Sequence, residues 1–286
     1  MAYSKQNFQN GQILNAANLE KMENGIIAGQ GAHNLLDNSD FRNPVNQRGA
    51  TSYSTAGNEY TIDRWKTQYN TGLTIENGYI NVIGGWQIYQ VLKNPKDGVY
   101  TFAVEARINS IGDYRPNMNL GGKKETLFDA NIGEWKIYTL QYDVSSITDE
   151  NISFSISARG GNSSGSISVK WAAMYKGSYD ASTLPAYQPK GYAAELAECQ
   201  RYFERKYSHI ITKEQSSMYI MLSYMNKRID WPTIIATTEN YSEDNLTLDI
   251  ACWNIKKNSA SGTIGSVVVP ENQAHWYGYF DISADL

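Results

Sequence analysis

Cysteine is nearly absent from this chain. Cys199 and Cys252 are the only two in 286 residues. That is too few for a disulfide framework or a cysteine-rich zinc site, and both are expected as buried free thiols. Histidine is scarce too: His33, His209 and His275 fall in no H-E-x-x-H pattern, and none pairs with cysteine at metal spacing. No apolar run approaches the ~20 residues of a membrane-spanning helix. Lys and Arg number 25 against 29 Asp and Glu, for a formal charge of −4, and they do not cluster as a nucleic-acid footprint would. Met1 to Leu14 lacks a basic stretch followed by an apolar core, so no secretory signal is expected and synthesis in a reducing cytoplasm is.

What is present points to strands. Hydrophobic residues make up 41% and charged residues 19%, a balance that favours folding over disorder. Tyrosine stands out at 21 residues, against 7 Phe and 7 Trp, and Tyr suits half-buried strands. The chain divides by pattern into three parts: 1–31, 32–188 and 189–286. In the first, Asn15 is a candidate N-cap, and Leu19, Met22 and Ile26 recur at i, i+3 and i+7 until Gly29 and Gly31 end the pattern. A stripe so narrow suits a helix packed on copies of itself, or one lying on its own domain; the first would make these three the oligomerisation residues.

The middle part reads as an antiparallel β-sandwich. Strands are expected at 79–83, 86–92, 99–108, 135–142, 152–158 and 167–171, with Asn77-Gly78 and Asp97-Gly98 as turns. The 86–92 strand shows little alternation, as if buried on both faces, and parity sets Trp86 and Tyr89 on opposite sides. In 152–158, Ser153, Ser155 and Ser157 alternate with apolar residues and are expected on the solvent face. Gly160 to Gly165 reads as a flexible hairpin. After a connector at 177–189, Tyr192, Leu196, Cys199 and Phe203 draw the apolar stripe of a helix, with Glu195, Glu198, Arg201 and Arg205 on other faces. A second, smaller β domain follows, with strands at 218–225, 233–237, 246–253, 263–269 and 277–282. The fold class is therefore mainly β: a short N-terminal helix, a sandwich, and a second β domain opened by one amphipathic helix.

No catalytic motif emerges. Gly161-Asn162-Ser163-Ser164-Gly165 matches G-x-S-x-G, but it lies between two expected strands and lacks the strand-to-helix turn of a nucleophile elbow. Gly121-Gly122-Lys123-Lys124 lacks the first Gly and the Ser/Thr of a phosphate-binding loop. Glu59, Asp63, Asp97, Glu105, Asp129 and Glu134 could supply a glycosidase pair, yet none stands out. No catalytic residue, metal or cofactor is assigned.

Asn34-Leu35-Leu36-Asp37-Asn38-Ser39-Asp40-Phe41, followed by Asp63-Arg64-Trp65, resembles the opening of the carbohydrate-binding jelly rolls of phage tail fibres and receptor-binding proteins. Val169 to Gly177 is similar to that module's last strand. Tyr192 to Phe203, the C-terminal Asp281 to Leu286 and the N-terminal Phe8 to Leu19 resemble further parts of such proteins, in the same order. The resemblance implies a non-catalytic, homotrimeric tail protein that adheres to host surface polysaccharide and contacts other tail or baseplate proteins. It implies a place in the virion tail, without nucleic acid or membrane insertion. A structural fibre component without glycan binding, and a tail-borne depolymerase, are the alternatives. Related jelly rolls hold a structural calcium through a Glu after the opening Phe and an Asp in the last strand. Here those places read Arg42 and Lys170-Trp171, so the calcium is not carried over.

Sugars present flat CH faces ringed by hydroxyls, and aromatic rings with amide and guanidinium groups at the rim suit them. The candidates in the sandwich are Trp86, Tyr89, Tyr114, Arg115 and Arg159, with Tyr138 beside them. In the second β domain they are Trp276 and Tyr277, expected at a loop tip after Pro270-Glu271-Asn272, with Arg228 and Trp231 as a weaker pair. Trp65 and Trp171 are expected in the core.

Overall fold

The computed structural model describes residues 33–54, 56–93, 98–121, 124–147, 151–212, 218–223, 233–238, 250–253, 259–264 and 274–284. The N-terminal helix with Leu19, Met22 and Ile26 lies outside the described residues, as do Asp97, Arg228 and Trp231. The chain forms two compact units. One comprises Met1–Pro44, Ala50–Thr61 and Trp65–Lys190; the other comprises Val45–Gly49, Ile62–Arg64 and Gly191–Leu286. The fold is mainly β.

In the first unit the strands are β1 (Ser52–Ser54), β2 (Glu59–Tyr60), β3 (Lys66–Gln68), β4 (Gly72–Glu76), β5 (Tyr79–Lys93), β6 (Val99–Ser110), β7 (Asn117–Leu120), β8 (Lys124–Leu127), β9 (Lys136–Asp143) and β10 (Asn151–Lys176). Two long strands organise them. The first half of β5 and the second half of β10 lie in a layer ordered β1-β4-β5-β10-β6-β9. Their other halves lie in a layer ordered β2-β3-β5-β10-β7-β8. Both strands change layer at the same level, where the β5–β10 register shifts between Ser157/Gly161 and Gly161/Ser166.

This corrects two readings. The 79–83 and 86–92 segments are one strand, and Gly160 to Gly165 is no hairpin but the crossing point inside β10. Glycine explains the first, and at the second the positive φ falls on Arg159. Gly84 and Gly85 hold positive φ, +58° and +47°, which a strand needs in order to bend between layers. At Gly85 there is no room for a side chain: an ideal Cβ would lie 2.4 Å from the Thr71 nitrogen and 2.5 Å from the Tyr69 oxygen.

The core lies between the layers. On the β2–β8 layer the row Thr67, Ile88, Ile156, Met118 faces inward and is fully buried. On the other, Phe102 and Val104 of β6 do the same. Phe102 stacks on Phe154 across the layers at 5.0 Å between ring centroids. Trp65 meets Phe154 edge-on at 6.4 Å and Phe41 at 5.0 Å, and its indole N–H donates to the Asn38 carbonyl. The opening segment is tied to β10 by Asn34, whose amide oxygen accepts from Leu36 N and Met174 N while its nitrogen donates to Ser39 Oγ and the Ala172 carbonyl. The expectation of burial on both faces for 86–92 fails: Ile88, Gln90 and Leu92 are buried, Tyr89 is half-buried and Val91 is exposed. Trp171 is buried, but on the outer face of the β6 layer, where it packs with Ala103, Ala173 and Tyr175 under Tyr179, Leu184 and Tyr187 of the following segment.

The second unit opens with α1 (Tyr192–Gln200). It is shorter than the expected helix, because Phe203 already belongs to the next strand. Its stripe also differs. Tyr192 is exposed and Leu196 half-buried, whereas Glu195 is buried in the first turn, where a carboxylate complements the helix dipole. Cys199 is buried and in no disulfide; Cys252 lies on a strand whose side chains are not described. Strands β11 (Phe203–Thr212), β16 (Ala274–Ser283) and β13 (Thr233–Thr238) form one sheet in that order; β12 (Met218–Ser223), β15 (Ser259–Ile264) and β14 (Ile250–Trp253) form another. Around the first, Arg205 makes a two-pronged pair with Asp281 at 2.7 Å on each prong. The buried Asp63 carboxylate accepts from Arg48 at 2.8 Å and from the Gln47 amide at 3.1 Å, and that amide also donates to the Phe203 carbonyl.

Candidate functional site

The outer face of the β2–β8 layer is built by strand register. Side chains opposite one another on antiparallel strands stand side by side on one face. Lys66, Tyr89, Ser155, Asn119 and Glu125 form one such row; Gln68, Gln87, Ser157, Asn117 and Leu127 form the next. The inward rows between them are the core residues named above. This face is therefore almost wholly polar or aromatic, with short serines along the middle and taller Gln, Tyr and Asn side chains on either side. Ser155 and Ser157 are only 3% and 1% exposed, contrary to the solvent-facing expectation, because their taller neighbours overhang them. Gln87 Nε2 donates to Gln68 Oε1 at 2.6 Å, and Asn117 Nδ2 to Glu125 Oε2 at 2.6 Å. Burial pushes the Tyr89 hydroxyl pKa up.

At the end where β5 and β10 change layer, three of the candidates meet. The Arg159 guanidinium lies 5.6 Å from the Trp86 ring centroid and 5.4 Å from that of Tyr114. The rings remain open: Trp86 is 36% and Tyr114 53% exposed. Arg159 also pairs with Glu125 at 3.4 Å, while its Nε is buried without a hydrogen-bond partner. Its backbone sits at φ +47°, a left-handed conformation that costs on the order of 1 kcal/mol for a non-glycine residue.

Two hydroxyls that sequence reasoning passed over hold this cluster. Thr71 Oγ1 accepts from Trp86 N at 2.8 Å and donates to the Gln68 carbonyl. Ser157 Oγ donates to the Trp86 carbonyl and accepts from Arg159 N at 3.1 Å. Ser157 thus joins Trp86 to Arg159. The available signal was the Gly84-Gly85 pair before Trp86, which marks a bend that needs side-chain partners for its freed backbone groups.

The other candidates separate. Tyr89 belongs to the polar row and Arg115 is exposed next to Tyr114, whose N–H donates to the Arg159 carbonyl at 3.3 Å. Tyr138 is buried, stacked on Phe128 at 4.1 Å, and its hydroxyl donates to Asp129. Trp276 and Tyr277 are not at a loop tip. They lie inside β16, opposite Ile210 and His209, because pairing with β11 begins at Ala274.

The carboxylates considered for hydrolysis are largely engaged. Glu105 accepts from Lys170 Nζ and from the Trp171 indole, Lys136 bridges Asp129 and Glu134, and Asp63 is paired with Arg48. The residues present do not fit a structural calcium either. Arg42 occupies both oxygens of Asp40, and Lys170 takes Glu105. Among the described residues no three His, Cys, Asp or Glu side chains gather as a metal cluster, and no helix is long and apolar enough to cross a membrane.

No protein-family model and no curated protein matches this chain. Solved structures similar to part of it include "CBM4 structure and function", at 16% identity and a TM-score of 0.33, covering 49% of this chain and 99% of that one. The N-terminal cellulose-binding domain from Cellulomonas fimi β-1,4-glucanase C matches at 13% identity and 0.29, covering 52% and 100%. The CBM22-1–GH10 modules of Clostridium thermocellum xylanase 10B, complexed with xylohexaose, match at 17% and 0.30, covering 51% of this chain and 29% of that one. Likenesses this distant assign neither ligand nor activity to this chain.

Proposed function

We propose that this chain is a non-catalytic glycan-binding protein of a phage tail, and that the outer face of the β2–β8 layer receives a host surface polysaccharide. The observation that carries the reading is the Arg159 guanidinium held between the open rings of Trp86 and Tyr114, at the head of a polar track. The rings offer apolar area to a sugar's CH face, and Gln87, Asn119 and Arg159 offer donors to its hydroxyls. Holding Arg159 in a left-handed conformation with a buried, unpaired Nε costs stability, as ligand-contacting residues often do. The tail assignment rests on the order of motifs along the chain. In that setting the stripe Leu19, Met22, Ile26 bundles three copies, and avidity multiplies a weak single-site contact.

The test is binding of the full chain to host cells or isolated wall polysaccharide, with native mass measured alongside. Trp86→Ala, Tyr114→Ala and Arg159→Ala are each expected to weaken binding about tenfold or more while leaving the mass near three chains. Wild-type binding by all three variants would refute the face. A monomeric mass would refute the trimer, and release of reducing ends would favour a depolymerase.

A further inference from the structure

The opposite side of the sandwich carries a second constellation. On the outer face of the β6 layer, Asn81 of β5, Ser168 of β10 and Arg107 of β6 stand in one row. Tyr79 and Trp135 meet edge-on beside them at 5.7 Å and 64°. The Arg107 guanidinium lies 4.8 Å from the Trp135 centroid and 5.4 Å from that of Tyr79, and Lys170 Nζ lies 4.2 Å from the Trp135 centroid. One indole therefore gathers two cations, and these differ in how their charge is met. Lys170 pairs with Glu105 at 2.6 Å. Arg107 touches only neutral oxygens, Asn109 Oδ1 at 3.2 Å and Ser168 Oγ at 3.3 Å, and among the described residues no carboxylate pairs with it. Tyr79, Trp135, Arg107 and Asn81 are all half-buried, so the group is held and still reachable. The adjoining half of this face is closed by Tyr187, stacked on Trp171 at 4.7 Å; among the described residues no such segment packs over the Arg107 half.

An oriented arginine with unused donors and an unmet charge is an oxyanion receptor. Asn81, Ser168 and Asn109 are already joined to one another by bonds of 2.7 to 3.4 Å, a neutral hydroxyl-and-amide rim of the kind that accepts sugar hydroxyls. We propose that Arg107, with Lys170 and the Tyr79–Trp135 pair, forms a second binding site that takes the anionic group of an acidic saccharide, a phosphate or a carboxylate. It rests on the glycan-binding reading above but uses none of the same side chains. Two sites on opposite faces let one molecule engage both a neutral and a charged stretch of a surface polymer.

The experiment is calorimetric titration of the full chain with three probes: a glycerol-phosphate oligomer, an oligogalacturonate, and a neutral cello-oligosaccharide. The Trp135 indole N–H is followed in parallel by NMR. One or both acidic probes are expected to bind and to shift Trp135, with affinity falling as salt rises; which one does so names the anion. Arg107→Gln is expected to lower that affinity about tenfold or more, and Tyr192→Ala, at an exposed aromatic outside both sites, to leave it unchanged. The inference is overturned if neither acidic probe moves Trp135, if the neutral probe moves it equally, or if Arg107→Gln binds the acidic probe as the wild type does. Failure of the first face would appear separately, as Trp86→Ala, Tyr114→Ala and Arg159→Ala all retaining full binding to host polysaccharide.

Discussion

Replacing Gly85 by alanine tests the layer change on which the Trp86 cluster depends, and Gly78→Ala supplies its control. Both glycines have positive φ, +47° and +90°. Each alanine therefore meets the left-handed penalty of roughly 1–2 kcal/mol. At Gly78 nothing lies within 4 Å of the added Cβ, so that penalty is the whole expected effect. At Gly85 the Cβ would fall 2.4–2.5 Å from Thr71 N, Asn70 C and Tyr69 O, all backbone atoms. The 69–71 segment must then move. Displacing packed backbone adds about 1–3 kcal/mol, and losing the Trp86 N to Thr71 Oγ1 bond adds about 1 kcal/mol. Gly85→Ala is thus expected to cost roughly 2–4 kcal/mol more than Gly78→Ala. With a urea slope of about 2 kcal/mol per M, the two midpoints separate by about 1–2 M. Urea unfolding followed by tryptophan fluorescence reads this directly. Glycan binding should fall for Gly85→Ala alone, because Trp86 is the next residue. Midpoints within about 0.3 M of one another would refute the reasoning, since the bend would then tolerate a side chain.

Three further outcomes follow from the same geometry. Ser157→Ala strands the Trp86 carbonyl and the Arg159 N–H, so a loss of about 1–3 kcal/mol is expected, with weaker glycan binding by calorimetry in a chain that still folds. Gln90 is buried and its amide pairs with both the N–H and the C=O of Asp37, at 3.0 and 2.8 Å; Gln90→Leu removes both bonds and should cost about 2–4 kcal/mol in urea unfolding. The Asp180 carboxylate is held down to about 2, below its ordinary 3.8, by hydrogen bonds from Ser182 and Thr183. Its folded pKa is depressed, so its contribution is present above pH ~4 and is lost as pH falls through about 2. The Ser182 and Thr183 backbone amide resonances, whose N–H groups donate to Asp180 Oδ1, should shift over that range in the wild type and not in Asp180→Asn.

The sequence made the fold class legible because its strands alternate and its turns carry Asn-Gly and Asp-Gly. Trp65 was readable as core from its size and place. The glycine-rich stretches were not readable. Gly84-Gly85 and Gly160 to Gly165 serve a turn and a layer change equally well, and only pairing with distant strands decides between them. The same limit governs the site. Trp86, Tyr114 and Arg159 were legible only as candidates by residue type, and nothing local said that a bend in β5 and one in β10 would bring them together. Ser157 was misread because alternation gives a face and not a height, and a short side chain between tall neighbours is buried on either face. Trp276 and Tyr277 were misplaced because a proline-led turn was read as a loop tip, where β16 in fact begins at once.

The second unit is not one continuous stretch of chain. Gln47, Arg48 and Asp63 are its members although they precede most of its sequence by well over a hundred residues; the Gln47 amide donates to the Phe203 carbonyl, Arg205 donates to the Arg48 carbonyl, and Asp63 accepts from Gln47 and Arg48. A gene exchange breaking near residue 190 would transplant the Gly191–Leu286 segment without them. The incoming segment would need, from its new host, an amide at 47 to reach the carbonyl of 203 and a paired cation and carboxylate at 48 and 63. Such exchanges are therefore fertile only between chains that already agree at those positions. Elsewhere the segments Val45–Gly49, Ile62–Arg64 and Gly191–Leu286 must be inherited together.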